Sequence, residues 1–147
     1  MTRTGIREMA SVARVIASGR LGRYSPRRTS MTARFESEAA EFLDTPYTLA
    51  VNSGTSALMS ALAAVGVGPG DEVLVPAYTW VSTAAAPLAL GAVPVLVEVD
   101  ESLTIDPVDM KTKITSATRA VVPVHMLNLV SNMDAITSLA KDHGIAV

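Results

Sequence analysis

The sequence predicts an α/β fold in three layers, α/β/α, around a mostly parallel sheet. Three observations predict it. Short valine-rich runs, "EVLVP", "VPVLVEVD" and "RAVVPVH", alternate with segments of helical spacing. Strands of that composition suit a sheet covered on both faces by the intervening helices. The 147 residues are 49% hydrophobic with a mean hydropathy of +0.35, enough for one sizeable core or for packing against more protein.

The elements follow in order. Ile6, Met9, Ala13 and Ile16 lie near helical spacing and predict an amphipathic N-terminal helix. "SGRLGRYSPRRTS" reads as an irregular connection. "TARFESEAAEFLD" places Phe35, Ala39, Phe42 and Leu43 on one stripe and Glu36, Glu38 and Glu41 opposite, with Thr32 as N-cap. "YTLAV" is a short strand, followed by a helix from about Ser56 to Val65. "GVGPGD" is a turn: it follows a helix and precedes a strand, the reverse of a dinucleotide fingerprint. "EVLVP" is the next strand, and "VSTAAAPLAL" a helix with Ser82 or Thr83 near its start. The strand "VPVLVEVD", the short helix "DPVDMKTKI" and the strand "RAVVPVH" come next. "NMDAITSLAKDHG" is a helix closed by Gly144, and "IAV" begins a further strand. Residues 1–45 are thus a helical arm and residues 46–147 an αβ portion. The pattern puts a strand interior at Val147, so the chain is expected to be truncated at its C-terminus.

Composition removes several function classes. Cysteine is absent, which excludes disulfides and thiolate metal sites. His125 and His143 are far apart, and no metal site is expected. The net charge of −2 argues neither for nor against any particular partner and is no excess that would predict a polyanion ligand; no nucleic-acid partner is expected. Eight of the nine arginines fall in the first 34 residues, with Glu8 the only acid there; an amphipathic helix and loop explain that bias more simply than a transit peptide or binding arm. No segment is long and apolar enough to span a bilayer, and the N-terminal residues lack the uninterrupted apolar core of a secretory signal, so a cytoplasmic location without membrane partners is expected.

Chemistry is expected where strands end and helices begin. Ser53-Gly54-Thr55-Ser56 follows the predicted strand ending near Val51. Open N–H groups at a helix start favour a phosphate, and Gly54 lets it approach. Taken alone, Ser53 or Thr55 as a plain helix cap is the simpler reading. Trp80, the sole tryptophan in a chain with six aromatic residues, sits just past "EVLVP" on the same sheet edge. An indole there either covers the sheet end or stacks on a planar ring. The two features together suit a phosphorylated aromatic ring such as pyridoxal phosphate.

"NSGTSAL", "GDEVLVPAYTWVSTAAAPLALGAVPVLVEVD", "PVHML" and "MDAITSLAKDHGI", with "IASGRLGR" and "FESEAAEFL" before them, resemble the DegT/DnrJ/EryC1/StrS family over nearly the whole chain. The resemblance implies a fold-type-I pyridoxal-phosphate aminotransferase acting on a keto-sugar or keto-cyclitol. It implies that the backbone at Gly54, Thr55 and Ser56 holds the cofactor phosphate and that Trp80 stacks on its ring. His125 matches a usual family histidine, as scaffold rather than catalyst. "NLVSNMD" departs from the family pattern at Val130 and Asn132. A full enzyme would take its amine from a donor such as glutamate or glutamine and work as a homodimer.

Transamination also needs a lysine that bonds the cofactor and a carboxylate against the ring nitrogen. Lys111, Lys113 and Lys141 all read as surface charges, so no catalytic residue is assigned. By the resemblance, both groups fall beyond Val147. The chain is therefore expected to be inactive alone. The alternatives are a non-catalytic remnant or packing module, and another fold-type-I pyridoxal-phosphate enzyme.

Overall fold

The computed structural model describes residues 5–19, 21–22 and 30–147. The predicted connection "SGRLGRYSPRRTS" lies largely outside them. The chain forms two compact units, Met1–Ala50 and Val51–Val147.

The first unit holds α1 (Ile6–Ser18) and α2 (Met31–Phe42). In α1 the Gly5 N–H donates to the Glu8 carboxylate at 2.7 Å, and Gly19 ends the helix at φ 64°. That contact with the Gly5 amide holds the Glu8 pKa below its ordinary value. The cap of α2 differs from expectation. Ser30, not Thr32, caps it, its Oγ accepting the Ala33 N–H at 3.1 Å, so Thr32 falls inside the first turn. Arg34 and Glu38 pair at the i,i+4 spacing.

"YTLAV" does not form a strand. A strand needs a neighbour for its backbone groups, and no described strand pairs with this segment. The Ala50 N–H instead donates to Glu36 Oε1 at 2.8 Å, tying the segment to α2.

The second unit runs α3 (Gly54–Ala64), β1 (Glu72–Pro76), α4 (Ser82–Ala89), β2 (Val93–Val97), α5 (Pro107–Lys113), β3 (Thr118–Val121) and α6 (Met133–His143). The sheet order is β2-β1-β3, with both pairs parallel. Leu74 pairs with Val95 on one side and Val121 on the other. Ala146 adds a parallel bridge to Ala120, the start of a fourth position.

Alternation along β1 builds the two cores. Leu74 packs with Val97, Val121, Met110 and Ile136, under α5 and α6. Val73 and Val75 point the other way, to Leu62, Ala86 and Ala120, under α3 and α4. Leu74 is fully buried, so Leu74→Ala removes about 2–5 kcal/mol. This is the predicted three-layer α/β/α arrangement. Gly66 and Gly70, at φ 83° and 90°, make "GVGPGD" the expected turn. Gly144 closes α6 in the left-handed region, as predicted. Among the described residues no helix is long and apolar enough to cross a membrane.

Candidate functional site

The connection from α3 to β1 brings the start of α3 to the sheet end where β1 finishes and the chain turns into α4. A hydrogen bond records the meeting: the Thr55 hydroxyl donates to Ser82 Oγ at 2.8 Å. Gly54, Thr55, Leu58, Trp80, Ser82 and Thr83 together line a cleft of about 380 Å³. Among the described residues no ionisable side chain lines it, so what they offer an anion there is N–H groups, hydroxyls and an aromatic face.

Ser53 caps α3. Its Oγ accepts the Ser56 N–H at 3.1 Å, and its own proton goes to Ser56 Oγ at 3.0 Å. The cap therefore accounts for Ser53 and starts the helix at Gly54, two residues earlier than the spacing predicts. It also engages the Ser56 N–H. The N–H groups of Gly54 and Thr55 keep no partner among the described residues. A Cβ added at Gly54 would meet nothing within 4 Å, so chain packing does not require glycine there. Gly54 lines the cleft, where a ligand could come close to it.

The Trp80 platform is fixed through its backbone. Trp80 O accepts the Thr83 N–H at 3.0 Å, and Thr79 and Thr83 share a hydroxyl contact of 2.9 Å. The indole itself is 76% exposed, so it does not serve as a plug for the sheet end. Tyr78 is half exposed and does not line the cleft.

His125 stands outside the cleft. Its Nδ1 accepts the Ser131 N–H at 3.2 Å, bracing a hairpin in which Met126 bridges Leu129. Leu127 and Asn128 turn that hairpin at φ 50° and 67°. Lys111, Lys113 and Lys141 are exposed and none lines the cleft. Leu58, Ser82 and Thr83 join the lining without having been singled out as site residues. The adjacent Ser82-Thr83 pair, just past Trp80 and Val81, was the available signal, but it reads first as a helix start.

The family model of the DegT/DnrJ/EryC1/StrS aminotransferase family matches residues 4–147. The chain belongs to that family. It is 42% identical over 139 residues to the L-glutamine:2-deoxy-scyllo-inosose aminotransferase of Streptomyces fradiae, covering 92% of this chain and 33% of the relative. It is 42% identical to the dTDP-3-amino-3,4,6-trideoxy-alpha-D-glucose transaminase of Streptomyces venezuelae, covering 94% of this chain and 35% of that one. NtdA of Bacillus subtilis, solved with bound cofactor PMP, superposes with a TM-score of 0.85 at 32% identity, covering 93% of this chain and 31% of NtdA. The chain thus spans about a third of the length of these relatives. Its sheet and helices correspond to part of a fold-type-I aminotransferase.

Proposed function

We propose that this chain supplies the phosphate- and ring-holding part of a pyridoxal-phosphate aminotransferase for a keto-sugar or keto-cyclitol. The observation that carries the reading is the shared cleft, where the open end of α3 and the exposed Trp80 face the same space. Family membership supplies the class of reaction.

The residues fit the cofactor. The N–H groups of Gly54 and Thr55 would hold the phosphate at the positive end of α3, with Ser56 N–H kept in place by the Ser53 cap. Ser56 thus contributes by setting the helix start more than by a free donor. Trp80 would lie against the ring. When bound, the group's ring acts as the electron sink of transamination. The amino donor, such as glutamate or glutamine, and the keto-acceptor are those that the resemblance implies.

The chain does not transaminate alone on this reading. Its three lysines are exposed and outside the cleft, so no amine is positioned to take the catalytic bond and proton. The test combines two measurements. Equilibrium dialysis with pyridoxal phosphate should give saturable binding that Trp80→Ala weakens. Borohydride reduction followed by peptide mapping should give no stoichiometric label at any one of Lys111, Lys113 or Lys141. Uniform labelling at one of them would sink the claim of inactivity, and absence of saturable binding would sink the cofactor reading.

A further inference from the structure

Among the hydroxyls that line the cleft, those of Thr55, Ser82 and Thr83, the hydrogen bonds single out one side chain. The Thr55 proton is spent on Ser82 Oγ at 2.8 Å. Thr83 shares its contact with Thr79 and is only 5% exposed. Ser82 accepts from Thr55, and its own proton has no acceptor among the described residues. It is half-buried and lines the cleft. A hydroxyl that accepts a hydrogen bond is polarised into a better donor. With no cationic side chain among the described lining residues, such a donor matters more to an anion than it would beside a lysine or arginine.

We propose that Ser82 reads the phosphate of the ligand, donating into the cleft the hydroxyl proton that no described residue accepts. This rests on the cofactor reading above. Thr55 then has two roles: its N–H faces the anion directly, and its hydroxyl orients Ser82. The bond also fixes the start of α3 against the start of α4, so the N–H pair and the Trp80 platform keep one spacing.

The experiment compares pyridoxamine phosphate with pyridoxamine, which differ only in the phosphate and do not condense with surface lysines. Equilibrium dialysis measures both, independently of Trp80 fluorescence. The unaltered chain should bind the phosphorylated ligand more tightly. Ser82→Ala should weaken pyridoxamine phosphate about tenfold, the size of one hydrogen bond to a charged group, and leave pyridoxamine within about twofold. Ser82→Thr, which keeps the hydroxyl, should retain the preference. Ser82→Cys keeps the volume and weakens the donor, so it should fall between, and it carries the test if Ser82→Ala does not fold.

Two results separate the claims. Equal loss of both ligands in Ser82→Ala, or an unchanged preference, overturns the role of Ser82 and leaves the cofactor reading standing. No preference for the phosphorylated ligand in the unaltered chain overturns both.

Discussion

Trp80 O accepts the Thr83 N–H at 3.0 Å while the Trp80 indole stands 76% exposed. The first contact fixes the ring's backbone to the first turn of α4; the second means that the ring contributes little to the core. The two make Trp80→Ala a clean probe. Stability should change by less than about 0.5 kcal/mol, as for other exposed positions. Affinity for pyridoxamine phosphate should fall by about 1 kcal/mol, roughly fivefold, through lost stacking. Urea unfolding and equilibrium dialysis check the two halves. Unchanged affinity removes the stacking role.

Gly54 offers the opposite combination. It is the first residue of α3, and a Cβ there would meet nothing within 4 Å. Gly54→Ala should therefore stabilise the chain by about 0.4–1 kcal/mol, through a less flexible unfolded state. Gly54 lines the cleft, so on the phosphate reading the added methyl group should cost a phosphorylated ligand about 1–3 kcal/mol of crowding. A variant that is more stable in urea but binds pyridoxamine phosphate less well is the expected outcome. Equal or better binding would falsify the assignment of Gly54 to the phosphate.

Asp100 ties acid stability to one turn. Its carboxylate accepts the Ser102 hydroxyl first and then the Ser102 N–H, at 2.8 Å for the latter, and these hold its pKa below the ordinary 3.8. A lowered carboxylate pKa means that the unfolded chain binds the proton more readily. The turn's stabilisation is thus complete above pH 3.8 and is lost as pH falls through the lowered folded value. Asp100→Asn should remove that part of the acid dependence. Urea unfolding at several pH values on both sides of 3.8 measures it, and parallel curves for the two proteins would refute it.

Much of the fold was legible because burial writes itself into composition. The apolar run Val73-Leu74-Val75 could only be a strand covered on both faces, and it is. "YTLAV" carried the same signal and failed, because a strand's existence depends on a neighbour that local sequence does not specify; Ala50 found Glu36 instead. The α2 boundary was missed for a smaller reason. Ser30 and Thr32 are both good caps, and only the Ser30 bond to Ala33 decides between them. In the cleft, Gly54 could be singled out by the Ser-Gly-Thr-Ser run that opens a helix, and Trp80 as the sole tryptophan, just past β1. Ser82 could not, since its meaning comes from a hydroxyl 27 positions away in Thr55.

Leu127 carries local backbone strain. It sits at φ 50° and Asn128 at φ 67°, in a hairpin closed where Met126 bridges Leu129. The left-handed region crowds a Cβ against the carbonyl and costs about 1–2 kcal/mol for an ordinary residue, while glycine and asparagine enter it readily. Leucine there would normally be retained for its burial, yet Leu127 is 70% exposed and buries little. Leu127→Asn should therefore stabilise the chain by about 0.5–1 kcal/mol, because two successive left-handed residues are the geometry that Asn favours in hairpin turns. Leu127→Val should act in the other direction, since branching at Cβ sharpens the clash. Thermal unfolding of the three proteins measures the order. The hydrogen bond from Ser131 to His125 Nδ1 gives a second reading. In Leu127→Asn the Ser131 amide should exchange with deuterium more slowly, because the hairpin opens less often. If Leu127→Asn is less stable than the unaltered chain, the leucine side chain holds a contact that outweighs its backbone cost.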